Sequence, residues 1–289
     1  MHNSKPRKNE FLLTLPSMGW LMIFFVIPTL LVIAMAFRNS DPYGGIGDQW
    51  TFNTIRDLRN PNYPSIIWRT LWLSVVSTII CIVTAIPASY FISRISKKFQ
   101  DIILLLIIVP FWINFLIRIF AWKVFLHPEG LFKQILVTLH IAGPDTLLLY
   151  RPEAVLVVIV YSYLPFALLP IYAAAEKFDF HLMEAAYDLG ANRFQAFLRV
   201  YIPGIKMGLL TAIIVVFIPA LGSYVIPDIV GGPSSEMIGN KIAQRTFIDR
   251  NLPHASALSA LLTFAVILPA AIALTRKFFK EKNSRSIGI

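Results

Sequence analysis

The fold class this sequence predicts is an all-α integral membrane protein with six transmembrane helices, and three observations lead to it. Of 289 residues, 56% are hydrophobic and 15% charged, with a mean hydropathy of +0.66, a balance unlike that of an ordinary soluble domain. Six apolar runs, 17–37, 68–93, 102–126, 154–175, 207–230 and 257–274, are long enough to cross the roughly 30 Å hydrocarbon layer as helices. The 26 Lys and Arg are spread unevenly over the gaps between those runs. The gaps are short, so the runs read as one membrane domain rather than two soluble ones. The net charge of +10 then points to anionic lipid and not to nucleic acid.

Lys5, Arg7 and Lys8 precede the first run, and Ala34-Met35-Ala36 near its end resembles a signal-peptide cleavage site. The run is longer than a usual signal-peptide core and is read as a span. Residues 38–67 mix Pro42, Gly44, Gly45, Gly47, Pro61 and Pro64 with Tyr43, Trp50, Phe52 and Tyr63. Such a turn-rich aromatic loop reads equally as a surface for an external partner and as a plain structured loop. Arg69 opens the second run and Lys123 nears the end of the third, so both are expected to snorkel. Cys81, the only cysteine, sits in an apolar run and is expected to pack there, which rules out an intrachain disulfide framework and a Cys-based metal site.

Arg118 lies deeper in the third run, one turn beyond Asn114 and on a stretch broken by Pro110. Internal pairing or hydrogen bonding to another helix is the expected role of a cation at that depth. Leu131, Phe132, Ile135, Leu136 and Leu139 then recur at helical spacing, which predicts a short interfacial helix. Pro219, Gly222 and Pro227 weaken the fifth run, and Gly231-Gly232-Pro233 follows it. Irregular backbone of that kind is tolerated in a membrane where it lines a cavity.

Orientation follows from the basic residues. Fifteen fall on one side: Lys5, Arg7, Lys8; Arg94, Lys97, Lys98; Lys177, Arg193, Arg199, Lys206; and Arg276, Lys277, Lys280, Lys282, Arg285. The opposite side carries eight, in longer segments: Arg38, Arg56, Arg59, Lys133, Arg151, Lys241, Arg245 and Arg250. The positive-inside rule makes both termini cytoplasmic, in a multi-pass protein of a bacterial cytoplasmic membrane.

The cytoplasmic gap between the fourth and fifth runs holds the most polar stretch near the bilayer, EAAYDLGANRFQAFLRVYIP, from Glu184 to Pro203. Leu182, Ala185, Ala186 and Leu189 share one helical face and Glu184 and Asp188 another. Gly190 tolerates positive φ and ends the helix; Asn192 caps a second one with an apolar stripe of Phe194, Phe197, Leu198 and Tyr201; Pro203 and Gly204 interrupt that. The result is a helix, a hinge and a helix, either a hairpin lying on headgroups or a docking surface for a cytoplasmic protein.

These residues resemble the EAA motif of bacterial ABC-importer permeases: Glu184-Ala185-Ala186, a glycine four residues after the second alanine, and the ending Val200-Tyr201-Ile202-Pro203, with conservative departures at the last apolar positions. Three further stretches, IIVPFWINFLIRIFAWKVFL (107–126), YSYLPFALLPIY (161–172) and FIPALGSYVIPDIVGGPSSEMIGN (217–240), resemble the spermidine/putrescine permeases of the PotB/PotH type. The resemblance implies a type I (MetI-like) permease fold in which Glu184, Ala185, Ala186, Asp188, Gly190 and Pro203 belong to the coupling helix that sits in a cleft of the ATPase subunit. It implies as partners an ATPase pair, a second related permease subunit and an external polyamine-binding protein. The segments then read as a cytoplasmic N-terminus (1–16), a first helix with its outer loop (17–67), the transmembrane type-1 domain (68–274) and a basic cytoplasmic tail (275–289).

The residues carry no catalytic signature of their own. There is no Gly-rich phosphate loop ending in Lys-Ser or Lys-Thr and no HExxH, and the five histidines are too scattered for a metal site. No cofactor is expected in this chain, ATP being bound by the partner ATPase. Asp228 is the only carboxylate within the six runs. A polyamine needs carboxylates for charge and aromatic faces for cation–π contact, so Asp228 with Trp112, Tyr161, Tyr163 and Tyr224 is the candidate substrate path. Its bland alternative is a solvated residue at an outer helix end. Other readings are an importer for another small organic cation or a metal ion, and, in a different class, a six-helix channel or secondary transporter.

Overall fold

Backbone in hydrocarbon has to satisfy its N–H and C=O groups within its own segment, so apolar runs of this length become helices. The computed structural model describes residues 8–140, 143 and 145–268, with side chains from residue 14. Lys5, Arg7, the end of the sixth expected span (269–274) and the basic tail (275–289) lie outside the described residues.

In chain order the principal helices are α1 (Thr14–Met35), α2 (Asn62–Ile92), α3 (Lys97–Trp112), α4 (Phe115–Phe125), α5 (Leu131–Thr138), α6 (Pro152–Glu176), α7 (His181–Asp188), α8 (Arg193–Gly204), α9 (Lys206–Leu221), α10 (Val225–Val230), α11 (Ile238–Ala243) and α12 (Leu252–Leu268). By length and composition α1, α2 and α6 can each cross a membrane, and α3 with α4 and α8 with α9 form two bent pairs that pass the same test. That makes three spans among the described residues, or up to five if each bent pair is one span, and α12 is a shorter apolar helix over the described part of the sixth expected run.

The described chain divides into two compact units, one running from Pro64 to Asn240 and the other formed by the chain on either side of it. Within the first, α6 and α9 share the broadest helix contact. Small residues let their backbones approach: a Cβ on Gly208 would stand 2.6 Å from both the Ala174 Cβ and the Pro170 carbonyl oxygen. One core of this unit gathers Cys81, Ala85, Ile171, Ala175, Tyr201, Ile205 and Val216, so the lone cysteine packs as expected. The other gathers Ile119, Val155, Val158, Ile159, Ile226, Val230 and Met237.

The second unit holds the turn-rich aromatic segment, and there the structure departs from an all-helical expectation. Residues Arg38–Ser40 (β1) and Ile46–Trp50 (β2) pair antiparallel, with Arg38 opposite Trp50 and Ser40 opposite Ile46. Gly44 and Gly45, at φ +95° and +102°, make the reversal possible, a conformation that costs glycine nothing in sterics. Arg38 lies over the Trp50 ring at 4.8 Å. In the same unit Tyr63 Oη and His254 Nε2 are hydrogen-bonded at 2.8 Å, both residues buried.

One further expectation is corrected. The third run was expected as one helix, yet α3 and α4 meet at 91°. Pro110 withholds an N–H and crowds the turn before it, and Asn114 caps α4, its side chain accepting from the Leu116 N–H at 2.9 Å. Arg69, at the opening of the second run, has its Nη1 donating to the carbonyls of Pro233 and Glu236, each at 3.3 Å. Arg118 behaves as expected of a cation at that depth: it is 8% exposed, its Nη1 on α4 donates to the Pro110 carbonyl on α3 at 3.4 Å, and the Phe111 ring centroid lies 4.4 Å away. The predicted short helix after the third run forms as α5.

Candidate functional site

Two places in the 64–240 unit carry the candidate residues. The first is the polar hairpin. Helix α7 ends on a left-handed Gly190 at φ +86°, with the Gly190 N–H donating to the Tyr187 carbonyl and the Ala191 N–H to the Ala186 carbonyl, each at 2.9 Å. This is the paired-bond closure that a glycine just past a helix end provides. Asn192 then caps α8 reciprocally: its side chain accepts from the Gln195 N–H at 2.8 Å, while the Gln195 side chain accepts from the Asn192 N–H at 3.1 Å. Pro203 stands next to the end of α8, and the chain turns 70° into α9.

Aromatic packing fastens the hairpin to the bundle. Tyr201 is fully buried, with ring centroids of Tyr90, Phe197 and Phe178 at 5.0, 5.2 and 5.3 Å. Sequence reasoning placed Phe197 and Tyr201 on a stripe but missed Tyr90, near the end of α2, and Phe178 and Phe180, in the connection between α6 and α7. The stripe itself divides: Phe197 and Tyr201 turn inward, Phe194 and Leu198 outward. The apolar face of α7 is also corrected, because its buried anchor is Met183, whereas Leu182 is 52% and Leu189 89% exposed. Glu184, Ala185 and Asp188 are exposed beside them and Ala186 is half-buried. Glu184 Oε2 lies 3.1 Å from His181 Nδ1, and that hydrogen bond, then its charge, raises the imidazole above its ordinary value. The hairpin thus exposes an apolar and acidic surface on a backbone fixed by two caps.

The second place is a cleft of about 390 Å³ around Asp228, lined also by Tyr150, Pro227, Gly231, Gly232, Pro233, Glu236 and Asn240. Asp228 is exposed, on the short helix α10 that follows the break at Gly222 and Ser223. Tyr150 is held at φ +64°, its N–H donating to the Val230 carbonyl at 2.9 Å. Its own carbonyl oxygen would lie 2.5 Å from a Cβ on Gly232, so only glycine lets the two segments close on this cleft. The walls therefore present two carboxylates and an aromatic ring.

The expected path residues do not form one site. Tyr224 precedes α10, and its carbonyl accepts from Asn240 Nδ2 at 2.9 Å. Tyr161 lines a separate cleft of about 460 Å³ with Arg118 and Trp122. Tyr163 donates its hydroxyl to the Pro219 carbonyl at 3.4 Å, and Trp112 is exposed at the bend between α3 and α4. Tyr150 and Glu236 join Asp228 instead. Both lie outside the apolar runs, so a search confined to spans passes over them; the nearby Gly231-Gly232-Pro233 break was the available signal. Among the described residues no group of three His, Cys, Asp or Glu is placed to hold a metal ion.

Residues 82–278 match the family described as the binding-protein-dependent transport system inner membrane component. The chain belongs to this family. It is a multi-pass inner-membrane permease, and the matched stretch contains both the hairpin and the Asp228 cleft. Among similar members, the spermidine/putrescine transport system permease protein PotB of Haemophilus influenzae is 38% identical over 250 residues, 86% of this chain and 87% of that one. The protein of the same name from Escherichia coli is 33% identical over 248 residues, 86% of this chain and 90% of its own. The fold is shared with a bacterial ABC transporter involved in import of the acidic polysaccharide alginate, at a TM-score of 0.66, 21% identity and 96% coverage of each chain. A bacterial alginate ABC transporter in complex with an alginate pentasaccharide-bound periplasmic protein is matched at a TM-score of 0.64 and 21% identity, covering 96% of this chain and 94% of that one.

Proposed function

We propose that this chain is the transmembrane permease subunit of an ATP-driven importer that carries polyamines, spermidine or putrescine, across the cytoplasmic membrane. The observation that carries this reading is the 38% identity to a spermidine/putrescine permease across most of both chains. The Asp228 cleft supports it chemically. A flexible chain of ammonium groups is recognised by carboxylates and aromatic faces, and Asp228, Glu236 and Tyr150 supply both. Specificity rests with an external binding protein, so the path needs only weak affinity, enough to admit the cation and release it.

The energy comes from a cytoplasmic ATPase dimer, and a second homologous permease completes the bundle. Closure of the ATPases on ATP moves the hairpin, and the capped α7–Gly190–α8 joint passes that movement through the Tyr201 aromatic cluster to α2, α6 and α9. The alginate transporter's complex with a periplasmic protein supports the docking of an external protein on such a fold.

The test is uptake of labelled spermidine and putrescine by cells lacking the protein, with and without a restored copy. Restored uptake that ATP depletion abolishes is expected. Asp228→Asn should slow that uptake severalfold while the complex still assembles, and Glu184→Lys should leave binding of polyamine by the external protein intact while uncoupling transport. Absence of any polyamine dependence, with the protein verified in the membrane, would remove the cargo assignment.

A further inference from the structure

A cleft larger than the one at Asp228 lies beside the hairpin. It measures about 730 Å³ and opens between the end of α2 and the start of α8, with Tyr90, Phe91 and Arg94 on one wall and Arg193, Phe194 and Phe197 on the other. Neither arginine is in an ion pair among the described residues. Arg94 is fixed all the same: its Nη1 donates to the Tyr90 hydroxyl at 2.6 Å, and its guanidinium lies 5.3 and 5.5 Å from the Tyr90 and Phe180 ring centroids. A guanidinium held by rings keeps its charge and most of its donors for something else.

The depth of the cleft says what that is. Helix α2 has 31 residues, about 46 Å at the α-helical rise, against a hydrocarbon core of roughly 30 Å. Shared between its ends, the excess puts about five residues at each end among the headgroups, so Tyr90 and Phe91 stand at the interface and Arg94 just beyond it. Phe91 and Phe194, 66% and 70% exposed, stand on opposite walls of the cleft. Aromatic rings at the interface, with two uncompensated guanidiniums immediately outside, complement a phosphate joined to hydrocarbon and not a freely soluble anion.

We propose that this cleft binds an anionic phospholipid, its phosphate between Arg94 and Arg193 and its first acyl carbons against Phe91 and Phe194. The lipid then bridges the end of a span and the start of α8, so the hairpin that receives the ATPase is tied to the leaflet. This inference does not depend on which substrate is transported.

The test uses the assembled transporter, purified with its partner subunits and titrated with phosphatidylglycerol, phosphatidylcholine as the zwitterionic control, and read by native mass spectrometry. Retained phosphatidylglycerol in preference to phosphatidylcholine is expected, with Arg193→Glu and Arg94→Gln each weakening retention about tenfold. Arg94 also braces Tyr90, so Arg193→Glu, on an exposed side chain, carries the test if the Arg94 variant fails to assemble. Equal retention of the two lipids, or unchanged retention in assembled Arg193→Glu complex, overturns the proposal. So does displacement of the lipid by millimolar inorganic phosphate or glycerol 3-phosphate, which would make the cleft a soluble-anion site.

Discussion

His181 and Glu184 show how one contact sets the chemistry of the hairpin. The carboxylate raises the imidazole above its ordinary value of 6.5, so the charged pair favours the folded hairpin fully below that value and loses its contribution as pH rises through the raised midpoint. In Glu184→Gln the His181 midpoint should fall back toward the ordinary value, read by histidine-selective NMR of the complex in nanodiscs; an unmoved midpoint would show the pair does not persist in solution. Gly190 is a different kind of constraint. A Cβ there meets nothing within 4 Å, so the requirement is purely the left-handed backbone, worth about 1 kcal/mol against other residues. Both residues were legible, because a motif quotes them by type. The partners of Tyr201 were not, since Tyr90 lies on α2 and Phe178 in the connection before α7, and no local spacing links them.

At the scale of elements, apolar length identifies the spans but a polar residue inside a run has two readings. Asn114 shows both: in the sequence it is a polar group at membrane depth, and in the structure it is the cap that starts α4 after a 91° turn. The close pair α6 and α9 is the converse case, where a residue with no side chain decides the packing. Gly208→Ala places a methyl 2.6 Å from a fixed backbone oxygen and a fixed Cβ, so the helices must separate at a cost of about 1–3 kcal/mol. The complex should then unfold at lower temperature in a detergent melt than the parent; an unchanged melting temperature would show that the contact gives way freely. The β1–β2 hairpin was read only as turns, because its two strands are short and offer no sustained alternation.

For the whole molecule, the distribution of Lys and Arg predicts an orientation that packing alone does not define. Both termini are expected in the cytoplasm, so green fluorescent protein fused to either end should fluoresce and alkaline phosphatase fused there should be inactive; the reverse pattern would invert every assignment of inside and outside. The exposed Trp20, Phe24, Phe25, Leu30 and Leu31 of α1 suit a helix whose solvent is lipid. By itself the sequence determined the membrane class, the places where the chain can cross and the hairpin with its glycine hinge, because these depend on composition, run length and the conformational limits of single residues. Only the tertiary structure decided that Asp228 keeps company with Tyr150 and Glu236 rather than with Trp112, Tyr161, Tyr163 and Tyr224, and that α7 is anchored by Met183. The physical reason is that a site is made of side chains brought together by bends and close contacts, and a bend such as that at Pro110 and Asn114, or a close approach such as those at Gly208 and Gly232, leaves no mark in hydropathy.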